Sequence, residues 1–214
     1  MYKKFLYAST MILLALKSFG QQPADNQALQ KKYTVFQRMI SMDSVTGLVH
    51  LNEGEGAGIA WINGETFTYG SIELDIKGRD LAQRSFVGFC FHGLNDTTYE
   101  AIYFRPFNFQ SPDPVRKTHA VQYIAAPLYD WPTLREKYPN KYEQPISPAP
   151  GPNDWFHARI VVEANRISVY INTNDKPSLV VEPLVPLRGK QIGFWVGNGS
   201  DGDWKNLKIT KVVK

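Results

Sequence analysis

From Tyr33 to the C-terminus the chain is written in period two, and this limits its fold more than any other feature. Short runs rich in Val, Ile, Tyr and Phe alternate apolar with polar side chains and are broken by Gly, Asn, Asp and Pro. Alternation at every second residue marks a β-strand with one buried face. In Arg166–Asn172, Ile167, Val169 and Ile171 fall on one side, and Arg166, Ser168, Tyr170 and Asn172 on the other. Trp155–Glu163 repeats the pattern with Phe156, Ala158, Ile160 and Val162, and a tight turn at Ala164-Asn165 joins the two as a hairpin. The same reading predicts strands over Leu48–Leu51, Gly58–Trp61, Gly70–Lys77, Ser85–His92, Tyr99–Phe107, Ala120–Ile124, Leu179–Pro183, Gln191–Gly197 and Trp204–Val212. Gly54–Gly58 reads as a hairpin turn. With almost no helical periodicity, these strands predict an all-β antiparallel sandwich or barrel.

Residues 106–152 are the exception, because they hold 10 of the 14 prolines. Proline cannot donate to a strand ladder, so the stretch is predicted to be mostly loop. Within it, Asp130–Tyr138 reads as one short helix, with Asp130 as cap and Pro132 in the first turn. Trp131 sits where it can either line a binding wall or pack on the sandwich edge.

The start of the chain belongs to a different class. Met1–Lys4 is basic, Phe5–Leu16 is apolar, and Ser18-Phe19-Gly20 supplies small residues for cleavage. That is the layout of a signal peptide over residues 1–20, too short for a comfortable membrane span. Residues 21–32 read as a flexible leader and 33–214 as one domain. The expectation is a secreted or periplasmic bacterial protein, off the membrane after cleavage. Of the 24 basic residues, Lys3, Lys4 and Lys17 lie in the signal, leaving 21 against 20 acidic ones. That balance lacks the basic excess that phosphate neutralisation needs, so nucleic acid is not an expected partner. The lone cysteine, Cys90, cannot form an internal disulfide and reads as a small buried hydrophobe.

Phe67–Phe109 carries the densest functional signal, with His, Arg, Tyr and acidic side chains recurring among apolar ones. Period two places Tyr103 with Arg105, and His119 with Tyr123. His92 shares its parity with Cys90 and precedes a turn containing Asn95 and Asp96. If these strands are neighbours, the polar groups converge on a concave sheet suited to hydroxyl-rich ligands. Trp195, on an otherwise small and polar face, is either a stacking platform or a core residue. No GxSxG elbow, HExxH helix, paired CxxC or P-loop is present.

Phe67–Phe109, His119–Trp131 and Gly197–Ile209 (GNGSDGDWKNLKI) resemble bacterial exported domains of the concanavalin A-like lectin/glucanase superfamily. The likeness runs over about residues 45–212 and is nearest to laminin-G-like domains of the 3-keto-disaccharide hydrolase or glycoside hydrolase type. It implies a jelly roll of two antiparallel sheets, with the proline-rich loop and its short helix at one side. It also implies an oligo- or polysaccharide ligand and no required cofactor. Ligand-binding candidates are His92, Asn95, Asp96, Tyr103, Arg105, His119, Tyr123, Trp131 and Trp195.

In the laminarinase-like enzymes of that superfamily one strand carries Glu, any residue, Asp, one or two further residues, then a second Glu. Here Glu73 and Asp75 fill the first two places, but Lys77 and Gly78 stand where the proton donor belongs. Retaining hydrolysis needs two carboxyl groups about 5–5.5 Å apart, so that mechanism is not carried over. Glu73, Asp75, Glu100 and His119 remain catalytic candidates for a glycoside hydrolase. A non-catalytic protein-binding or structural module is the further alternative. Related jelly rolls often hold a structural calcium, for which Asn198, Asp201 and Asp203 offer oxygens, although their spacing is not that of an EF-hand.

Overall fold

The computed structural model describes residues 29–212 and shows a sandwich of two seven-stranded antiparallel sheets. The front sheet runs, in spatial order, β1 (Tyr33–Phe36), β4 (Gly58–Ile62), β13 (Gln191–Val196), β6 (Val87–Asn95), β7 (Thr98–Phe104), β8 (Val121–Ala126) and β9 (Glu143–Gln144). The back sheet runs β12 (Leu179–Val181), β11 (Arg166–Ile171), β10 (Phe156–Glu163), β5 (Gly70–Lys77), β14 (Gly202–Lys211), β3 (Val49–Leu51) and β2 (Ile40–Met42). Three short helices sit between β7 and β9: α1 (Pro106–Phe109), α2 (Pro114–Lys117) and α3 (Trp131–Lys137). The signal peptide expected over residues 1–20 and residues 21–28 of the expected leader lie outside the described residues; Leu29, within that expected leader, is buried.

Strict alternation in sequence becomes strict alternation in burial. Along β5 every second residue is buried, with Ile72, Leu74 and Ile76 inside and Glu73 and Asp75 outside. Aromatic contacts close the core between the sheets. Phe194 meets Trp204 at 5.0 Å between ring centres, and Phe104 meets Phe156 at 4.9 Å. These contacts fix which side of the front sheet faces inward: Val87, Phe89, Phe91, Ile102 and Phe104 do. By the same alternation Gly88, Tyr103, Gln122 and Trp195 face outward.

Three expectations change. Gly54–Gly58 is no hairpin, because β3 belongs to the back sheet and β4 to the front, so the segment crosses between sheets. Arg38 holds that crossing by donating to the carbonyls of Gln37, Glu55, Gly56 and Gly197 at 2.6–3.0 Å. The strand expected over Tyr99–Phe107 ends at Phe104, since Pro106 opens α1 and cannot donate onward. The proline-rich stretch contributes β9 as an edge strand, paired Val121↔Gln144 and Gln122↔Glu143. Helix α3 begins as expected, with the Asp130 side chain accepting from the Thr133 amide at 3.1 Å.

Candidate functional site

A single row of the register crosses the outer face of the front sheet: Ile59, Trp195, Gly88, Tyr103, Gln122 and Glu143 lie side by side on successive strands. Small residues, Gly88 and Gly193 with Cys90 and Ala101 beside them, floor this face, and large ones frame it. The rings of Tyr103 and Trp195 approach to 4.9 Å, and the Trp195 indole donates to the Tyr99 hydroxyl at 3.0 Å. Burial pushes the phenols of Tyr99 and Tyr103 up to about 12, so both stay protonated donors at neutral pH.

Beside the aromatics lies a charged cluster assembled from four elements. Arg105, at the end of β7, is only 5% exposed. It donates to the Tyr103 hydroxyl at 2.6 Å, to the Gln122 side-chain carbonyl and to the His119 backbone carbonyl at 2.9 Å. Glu143 on β9, equally buried, accepts from Arg135 of α3 in a bidentate pair at 2.8 and 2.7 Å. The His119 ring nitrogen Nδ1 lies 2.8 Å from the same carboxylate, whereas the Arg105 guanidinium is 3.7 Å away.

The electrostatics follow from burial first. Burial alone would raise the Glu143 carboxyl, but the hydrogen bonds and charge of Arg135, with His119 and Arg105, outweigh it and hold the group below its ordinary value. Burial is the largest influence on His119 and lowers it; the Glu143 charge opposes this, the charges of Arg135 and Arg105 add to it, and the net shift is downward, so the ring is neutral at pH 7. Neutral imidazole carries one hydrogen, and a carboxylate only accepts. Nδ1 therefore donates to Glu143 and Nε2 is left as an acceptor with no bond among the described residues. Polar atoms elsewhere in the cluster also lack partners: the Gln122 Nε2 amide and the Asn108 side-chain carbonyl are buried without a hydrogen bond. The exposed rim is made by Trp131 (48%), with Arg135 stacked on its ring at 4.9 Å, and by His119. Arg135 Nη1 makes no hydrogen bond among the described residues.

The structure thus brings Tyr103, Arg105, His119 and Trp195 together with Trp131 at the rim, and places the other candidates elsewhere. His92 does not share a face with Cys90. A β-bulge shifts the register between Phe91 and Asn95, and His92 takes φ +51°, which turns its ring inward. There Nδ1 meets Glu100 at 2.6 Å, Nε2 donates to the Thr68 carbonyl at 2.7 Å, and the Tyr123 hydroxyl donates to the other Glu100 oxygen. His92, Glu100 and Tyr123 form a buried network on the core side, separate from Arg105. Tyr123 parts from His119 because His119 lies in the turn before β8, where strand parity does not hold.

Asn95 closes the β6–β7 turn by accepting from the Thr97 amide at 3.0 Å, and Asp96 accepts from the Trp61 indole at 2.7 Å. Glu73 and Asp75 lie on the outer face of the back sheet, where Asp75 pairs with His157 at 2.8 Å and Glu73 lies 3.6 Å from Lys208. The four catalytic candidates therefore lie in three separate places: Glu73 and Asp75 on the back sheet, Glu100 in the core and His119 at the front rim. Cys90 is fully buried and burial pushes its thiol up. Asn198 caps the Gly56 amide at 2.8 Å, Asp201 pairs with Arg79 at 2.7 Å, and Asp203 pairs with His50 at 2.7 Å. Among the described residues no group of three or more His, Cys, Asp or Glu is placed to hold a metal ion. The side-chain oxygens of this loop are bonded to separate partners, whereas a calcium ion would need six to eight oxygens converging on it.

Gln122, Glu143 and Arg135 carry little mark in sequence. Glu143 and Arg135 lie in the proline-rich stretch, and only a two-residue ladder brings Glu143 opposite Gln122. Gln122 alternates with Val121 and Tyr123 in a short strand, and that parity was the one available signal.

No family model and no curated protein matches the chain. Solved structures do. Carbohydrate-binding module CBM66 from Bacillus subtilis is 14% identical with a TM-score of 0.57, over 83% of this chain and 94% of that one. The exoplasmic/lumenal domain of VIP36, solved with Ca2+ and Man3GlcNAc, is 12% identical with a TM-score of 0.59, over 85% of this chain and 86% of that one. A glycosyl hydrolase candidate from Parabacteroides distasonis is 14% identical with a TM-score of 0.52, over 81% and 90%. At these identities the likeness establishes a shared lectin-type β-sandwich fold.

Proposed function

We propose that this chain is an exported carbohydrate-binding protein that holds an oligo- or polysaccharide against the outer face of its front sheet, at the rim formed by Trp131, Arg135 and His119. One observation carries the reading. A network of charged and polar side chains is built on the outward face of a sheet, and it still has free hydrogen-bonding atoms at its exposed edge. Sugars need that combination, with hydroxyls that both donate and accept and ring faces that stack on aromatic surfaces. The carbohydrate-binding module and the lectin domain that share the fold support the same reading.

A glycoside hydrolase is the second reading, favoured by the His119–Glu143 pair, in which Nε2 is presented as an acceptor. Hydrolysis needs two carboxyl groups flanking the bond, and Glu143 is the one carboxylate bonded into this cluster among the described residues. Binding without cleavage is therefore the better fit. A glycan array probed with the mature protein and with Trp131→Ala is the test. Wild-type binding that weakens about tenfold or more in the variant, as loss of a stacking platform would cause, supports the reading. Absence of binding to every glycan, or signals indifferent to Trp131, overturns it. Reducing-end release that disappears in His119→Ala would move the protein to the enzyme class.

A further inference from the structure

The charged cluster is not balanced. Arg105 and Arg135 bring two positive charges, Glu143 brings one negative charge, and His119 is neutral. Glu143 is occupied by the fork of Arg135 and by His119, at 2.7–2.8 Å. Arg105 is left at 3.7 Å from that carboxylate, and its nearer partners are neutral: a phenol, an amide oxygen and a backbone carbonyl. Among the described residues no other carboxylate lies within ion-pair distance of Arg105. A buried cation without a matching anion is costly, and proteins normally avoid it by pairing. Here the surplus lies beside two partly exposed side chains, Arg135 and His119. Donors remain available around it: the buried Gln122 Nε2 amide has no partner, and Arg135 Nη1 makes no bond among the described residues.

Resting on the carbohydrate reading, we infer that the ligand is an acidic sugar, a uronate or a sulfated residue, whose anion supplies the missing negative charge. The anion meets Arg135 at the exposed rim, with Arg105 behind it as the second positive charge. The sugar ring stacks on Trp131. The Asn108 side-chain carbonyl and His119 Nε2 are acceptors and so suit hydroxyls of the same sugar rather than its anion. Arg135 is the specificity-determining residue in this scheme, because of the two arginines in the cluster it is the one with a free guanidinium edge at the surface.

The test compares ligands that differ only in charge. The mature protein is titrated calorimetrically, at fixed ionic strength, with oligogalacturonate and with its fully methyl-esterified form. A sulfated glycosaminoglycan oligosaccharide and its desulfated form make the second pair. The acid of at least one pair is expected to bind about tenfold or more tighter than its neutral counterpart, the margin of a charge-assisted over a neutral hydrogen bond. The pair that discriminates identifies carboxylate or sulfate as the anion. Arg135→Gln should abolish the preference, while Arg135→Lys, which keeps the charge but not the bidentate fork, should keep part of it. Equal binding of charged and neutral forms in both pairs overturns the acidic-sugar inference and leaves the carbohydrate reading in place. No binding to these ligands or to any neutral glycan overturns both.

Discussion

At the scale of single residues, Glu143 stands out, because one buried carboxylate restrains two arginines and a histidine. Replacing it with glutamine keeps the shape and removes the only counter-charge. We expect Glu143→Gln to cost about 3–5 kcal/mol, the range for breaking a buried ion pair by removing one partner, read from denaturant unfolding. The pH dependence has a fixed sign. Glu143 sits below its ordinary 4.5, so its contribution is complete above that pH and is lost as acid brings the pH down through the lowered value. His119 is also lowered, from 6.5, so the unfolded chain takes up a proton first and stability begins to fall just below pH 6.5. In His119→Phe, the early part of that decline should vanish while the later part remains. Cys90 offers an independent check on the packing. Its thiol is buried and its proton held tightly, so a thiol-colouring reagent should find no reactive group in the native protein and one after unfolding. Rapid native labelling would show that the outer face of the front sheet opens.

At the scale of elements, α3 positions Arg135 against Glu143, and its start depends on Asp130. Asp130→Ala should cost about 1 kcal/mol through loss of the cap, and it should weaken ligand binding more than an equally destabilising change remote from the site. Equal effects would show that α3 has no part in the site. Strand legibility followed burial. The predicted bounds of β5, Gly70–Lys77, coincide with the strand in the structure because it is central and buries every second residue. Of the four edge strands, β12 falls within a predicted segment, Leu179–Pro183, whereas β1, β2 and β9 carry weaker patterns, since an edge has fewer neighbours to demand a strict alternation, and no segment is predicted for them. Within the candidate site, parity correctly pairs Tyr103 with Arg105. It fails at His92, where one bulge residue inverts every assignment beyond it. Glu143 was not legible at all, because its partners come from α3 and from the turn before β8, which no local pattern links.

At the scale of the whole molecule, the two sheets share one core, and Trp204 is its largest fully buried side chain. It stacks against Phe194 across the sandwich, and its indole donates to the Gly88 carbonyl at 3.1 Å. Trp204→Ala should cost about 3–5 kcal/mol, as large-to-small changes of core aromatics do, with both sheets melting in one transition. Two separate transitions would mean that the sheets are independent. The order of strands in the back sheet has a consequence for synthesis. Ile72 of β5 is flanked by Ile160 of β10 and Ile209 of β14, so a strand made early must wait for partners that leave the ribosome much later. Until β14 has emerged, the back sheet lacks the strand that joins β5 to β3, and the sandwich cannot close. A molecule assembled in that order gains its full back sheet only when strands far apart in the chain have met.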